Sequence, residues 1–132
     1  MGASIFVGLN DKNQREGNFS YTGGYVNSVY WQAFSDLLDA VFLPNYPQLH
    51  EVIKSEEGEY LKFYSFIDLN QEDFNLAVKL IRDHLSKLTA ADWPSKDYIK
   101  DMSQWQSMAK EVWVGIAEPF VVKDTRYKVL IQ

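Results

Sequence analysis

The chain has 132 residues, with eighteen Asp and Glu against thirteen Lys and Arg for a formal charge of −5, and it holds no cysteine. A chain of this length removes roughly two thirds of its unfolded surface from water, so one domain with one core is expected over residues 1–132. The acidic balance repels phosphate backbones and anionic lipid, which argues against nucleic-acid and membrane partners and for a basic one, while the missing thiols exclude disulfides, thiol catalysis and thiolate metal sites and fit a reducing, cytoplasmic setting.

In chain order, Met1 to Leu9 lacks a basic opening and meets Asn10 and Asp11 before the apolar core of a signal peptide can form, and Phe6 stands where myristoylation wants Ser or Thr. No stretch approaches the roughly 20 apolar residues of a membrane span. Ala3 to Leu9 is apolar, with β-branched residues at Ile5 and Val7, and it ends in Asn-Asp-Lys-Asn-Gln-Arg-Glu-Gly; this predicts a strand inside the sheet, then a loop. From Val26 to Phe42 the set Tyr30, Ala33, Phe34, Leu37, Leu38 and Val41 recurs at three and four residues, with Gln32, Ser35, Asp36 and Asp39 opposite. That spacing predicts an amphipathic helix closed by Pro44 and Pro47. His50 to Ser55 fits a short helix or a turn.

Glu56-Glu57-Gly58-Glu59 reads as a turn, and Tyr60 to Leu69, dense in aromatic and branched side chains, as a strand. Asn70 predicts the cap of a helix over residues 71–88. Glu72 and Asp73 lie in its first turn, Lys79, Arg82 and Lys87 towards its end, and Phe74, Ala77, Val78, Ile81, Leu85 and Leu88 form one stripe. Ser95 predicts the cap of a third helix that buries Ile99, Met102, Trp105, Val112 and neighbours and stops near Gly115. Phe120 to Val122 and Tyr127 to Ile131 read as a terminal hairpin or two strands. This order predicts an α+β domain, a single mixed or antiparallel sheet packed with about three helices.

Motifs for chemistry are sparse. His50 and His84 stand in no zinc-type spacing, no serine sits in a Gly-x-Ser-x-Gly elbow, and Gly23-Gly24 lacks the spacing of a phosphate loop. The pairs Asp36 with Asp39 and Asp68 with Asp73 sit at helix-face and capping positions, where carboxylates are usually solvated. No cofactor and no metal is therefore expected, and no catalytic residue is assigned.

Two features point to recognition. Phe19, Tyr21 and Tyr25 crowd a stretch of Asn, Ser, Thr and Gly, and Tyr30 and Trp31 follow on the helix. This stretch is either an aromatic binding loop or a second strand hairpinned to the first. Glu51, Glu56, Glu57 and Glu59 form an acidic cluster that steers a basic partner if it makes one face. The partner-binding candidates are Tyr21, Tyr25, Trp31, Glu56, Glu57 and Glu59. In size, acidity, missing cysteine and missing catalytic motif the chain resembles the immunity proteins of bacterial toxin systems, a likeness of general character that implies a protein binding and neutralising a toxin and carries over no residue. The alternatives left open are a small-ligand domain with Phe19 to Trp31 as one pocket wall, and an enzyme with a dispersed site.

Overall fold

The computed structural model describes residues 3–9, 21–87, 93, 97 and 99–127. Strand β1 (Ala3–Leu9) is the middle strand of a three-stranded mixed sheet of order β2-β1-β3. It pairs antiparallel with β2 (Tyr21–Val26) and parallel with β3 (Phe63–Ser65). The two-residue period of β1 sorts its side chains: Ala3, Ile5 and Val7 are buried, whereas Ser4 and Phe6 lie on the other face in register with Tyr25 and Phe63, and with Gly23 and Ser65. A bulge between Phe6 and Gly8 shifts the β1–β2 register, and there Thr22 Oγ1 accepts from the Gly8 N–H at 3.0 Å. Gly23 has φ +141°, and a Cβ there would collide with the Ile5 carbonyl, so this close crossing of β2 over β1 admits only glycine. The Phe19–Tyr25 stretch is thus a strand from Tyr21 onward; Phe19 lies outside the described residues.

Six helices accompany the sheet among the described residues: α1 (Ser28–Phe42), α2 (Pro47–Ile53), α3 (Glu56–Leu61), α4 (Gln71–Lys87), α5 (Met102–Val112) and α6 (Glu118–Val121). The α+β class stands. Asn70 caps α4 as its sequence predicts, its Oδ1 accepting from the Asp73 N–H at 2.8 Å, and Phe74, Ala77, Val78, Ile81 and Leu85 are buried. Helix α1 is buried on more than one stripe, because α5 packs on the side that the polar residues occupy. Asp36 is therefore buried instead of solvated, and Trp105 Nε1–H donates to its Oδ2 at 2.8 Å.

Several elements differ from expectation. Pro47 does not close a helix but opens α2 at its first position, where its missing N–H costs nothing. Glu56 to Glu59 is not a turn: Ser55 caps α3 through Oγ, and the strand expected over Tyr60 to Leu69 shrinks to Phe63–Ser65. Gly58 is needed there because a Cβ would strike the Phe63 carbonyl where α3 crosses β3.

Helix α5 is capped by Asp101; Ser95 lies outside the described residues. The chain does not stop near Gly115 but runs through a π-helical turn (Trp113–Ala117) into α6, which replaces the strand expected at Phe120 to Val122. Pro119 explains the turn. It has no N–H for the Gly115 carbonyl, and its ring crowds that carbonyl, so the coil widens. The Glu118 N–H donates to the Trp113 carbonyl, and Trp113 Nε1–H donates back to Glu118 Oε1 at 2.7 Å, which locks the widened turn from both ends. Of the second expected terminal strand, Tyr127 follows a turn and residues 128–131 lie outside the described residues.

The segment after α6 is fastened to the sheet by Arg126. Its guanidinium donates to the carbonyls of Phe66, Leu69 and Val7 at 2.7 to 2.8 Å, pairs with the Asp124 carboxylate at 2.9 Å, and lies 4.0 Å from the Phe74 ring centroid. These are carbonyls just past β3 and near the end of β1, acceptors that the sheet itself leaves over.

Candidate functional site

The acidic cluster and its surroundings assemble at the end of the sheet where β1 begins. The Ser4 N–H donates to the carbonyl of Lys62, the residue that ends α3, at 3.0 Å, and Tyr25, Ser4 and Phe63 are consecutive neighbours across the three strands. Strand spacing puts the Cα atoms of Tyr25 and Phe63 about 10 Å apart.

Helix α3 displays Glu56, Glu57 and Glu59 in its first turn, all exposed. The same helix leaves Tyr60 at 85 % and Leu61 at 56 % exposure; its one buried residue is Gly58. Carboxylates in a first turn complement the helix dipole, so the acidic composition also stabilises the fold of this element.

A polar hub holds α3 in place. The nearly buried Lys54 ammonium donates to Ser35 Oγ and to Asp39 Oδ1, each at 2.8 Å, and lies 3.8 Å from Glu59 Oε1; His50 Nε2 is 2.7 Å from the same Asp39 oxygen. One cation thus joins α1, the α2–α3 junction and the acidic helix. Beneath it, Trp31 stacks on Tyr64 with centroids 4.4 Å apart, the Lys54 ammonium stands 5.5 Å from the Tyr64 centroid, and the Lys62 ammonium stands 5.3 Å from the Trp31 centroid. Burial pushes the Tyr64 phenol well above its ordinary range, against a hydrogen bond with Ser35 and with the help of the nearby Glu59, Asp39 and Asp36 carboxylates, so it stays protonated. Lys62 itself has φ +64°, a left-handed conformation that turns the chain from α3 into β3.

The sequence-predicted residues fall unequally on this surface. Glu56, Glu57 and Glu59 share one helix. Tyr25, on edge strand β2, is 86 % exposed. Trp31 is 5 % exposed and belongs to the floor, where its Nε1–H is buried without a hydrogen-bond partner. Tyr21 lies at the far end of β2, opposite Leu9, away from this end of the sheet. The alternation of Tyr60 and Leu61 predicts a strand and hides them as surface residues; Ser55 followed by three acidic residues in four is the signal for a capped helix.

Of the remaining chemistry, His84 takes an ordinary hydrogen bond, accepting from Trp93 Nε1–H at 2.8 Å. Among the described residues no group of three His, Asp or Glu gathers to hold a metal ion, and no helix is long and apolar enough to cross a membrane. Compared with protein-family models, with curated proteins and with solved structures, the chain matches none.

Proposed function

We propose that the chain is a non-catalytic protein-binding module that captures a basic protein partner on the acidic, aromatic face of α3, in the manner of toxin-neutralising immunity proteins of the cytoplasm. The observation that carries this reading is the exposure of Tyr60 and Leu61 on the same two-turn helix as Glu56, Glu57 and Glu59. Tyrosine is enriched among the residues that anchor interfaces, and surrounding charges set encounter rate and partner choice. The Lys54 hub supports the reading further, because a helix of six residues has little stability of its own and a preorganised face loses less entropy on binding.

The test is binding kinetics against the partner recovered from the native host. Reversing Glu56 and Glu57 to Lys, which leaves the Lys54–Glu59 contact in place, is expected to slow association, and more so at low salt, with little change in dissociation. Tyr60→Ala is expected to speed dissociation and cost about 2 kcal/mol or more of binding. Tyr25→Ala has the same effect if the interface extends across Ser4 to the edge strand. Wild-type rates in both the charge and the Tyr60 variants place the interface elsewhere.

A further inference from the structure

A second surface is formed by the outer stripe of α5 and the π-helical turn. Ser107, Lys110, Glu111, Val114 and Gly115, spaced as one helix face, line a hollow of 460 Å³. All five are exposed, with Val114 at 53 %. A neighbouring groove that shares Lys110 and Val114 continues the hollow towards Leu85 and Trp113. Gly115 is the unexplained residue in it. It is not in a left-handed conformation, and a Cβ added there would meet nothing within 4 Å. A glycine inside a helical run is less stable than an alanine there, and among the described residues no close contact requires it. Glycine is suited to such a place when another backbone approaches closely from outside.

We infer that this stripe is the contact between two copies of the chain, paired antiparallel about a twofold axis with Lys110 of each copy beside Glu111 of the other. The stripe is self-complementary, as a twofold interface demands: it carries one cation and one carboxylate at adjacent positions, so the rotation that brings Lys110 to Glu111 brings Glu111 to Lys110. The same register lays Val114 of each copy over the small Ser107 of the other, and Gly115 removes the side chain that would hold the helices apart. The hollow is open along its length, which suits a packed helix better than a small molecule, whose sites enclose most of the ligand. This contact is separate from the acidic face of α3, so the two proposals fail independently.

Sedimentation velocity on the full chain, from micromolar to submillimolar concentration, tests it, with circular dichroism melting to check that each variant is folded. The wild type is expected to show a concentration-dependent dimer. Lys110→Glu sets like charges against each other and is expected to weaken the dimer about tenfold or more. The double variant Lys110→Glu with Glu111→Lys restores opposite pairing and is expected to recover it, and Gly115→Leu, which fills the hollow without touching the core, is expected to abolish it. A wild type that stays monomeric throughout overturns the inference. So does a dimer indifferent to Lys110→Glu and Gly115→Leu, or one that the double variant fails to restore.

Discussion

Trp31 stacks on Tyr64 with ring planes 5° from parallel and centroids 4.4 Å apart, joining the first turn of α1 to the middle of β3 next to the acidic helix. Aromatic pairs of this kind add about 0.5 to 1.5 kcal/mol beyond the area they bury. Trp31→Ala is expected to cost about 3 to 5 kcal/mol by chemical denaturation. Trp31→Phe keeps a ring and deletes the buried, unpartnered Nε1–H, so its cost is expected to stay below about 1.5 kcal/mol. Equal costs for the two variants would mean that the indole N–H has a partner.

Arg126 supplies a second expectation. Its fork satisfies three leftover carbonyls and the Asp124 carboxylate at once, a task that the three donors of a lysine on a flexible stem do not match. Arg126→Lys is expected to destabilise by about 3 kcal/mol or more in urea unfolding, because several buried acceptors lose their partner together. A cost under about 1 kcal/mol would show that the chain after α6 is not fastened to the sheet in this way.

Glu118 makes stability depend on acidity. Burial raises its carboxyl, but the hydrogen bonds and charge of Arg82 and the indole N–H of Trp113 outweigh that and hold it below the ordinary carboxylate range. A carboxyl depressed in the folded state contributes stability above its unfolded value near pH 4.3 and loses it as the pH falls through the lower folded value. Glu118→Gln is therefore expected to be clearly less stable than wild type at about pH 7, with the gap in melting temperature closing as the pH falls below the ordinary carboxylate range. A gap independent of pH would assign the loss to packing alone.

Sequence periodicity was most informative where one element decides its own fate. Strand β1 and helix α4 lie where their patterns place them, and Asn70 caps α4; Asn70→Ala is expected to lower the thermal midpoint, costing about 0.5 to 2 kcal/mol. Pattern and structure part where tertiary contacts choose. Gly58 reads as a turn residue, but it is a helical glycine kept small by the Phe63 carbonyl. Tyr60 to Leu69 alternates like a strand, yet β1 offers register partners only to Phe63, Tyr64 and Ser65. Phe120 to Val122 has β-forming side chains, but Pro119 near the start of a helix set the outcome. For the candidate site, the three glutamates were legible as a cluster, whereas the exposure of Tyr60 and the burial of Trp31 depend on how α3 and α1 meet β3.

The most direct measurement replaces Tyr60 with a photo-crosslinking aromatic residue and irradiates the native host, with the same residue at exposed Val122 as control. The expected result is one dominant adduct from position 60 and none in common from position 122; the captured protein is basic, and the adduct is lost when Glu56 and Glu57 are reversed to Lys. No adduct from position 60, or one that persists through the charge reversal, would contradict capture of a basic partner by α3.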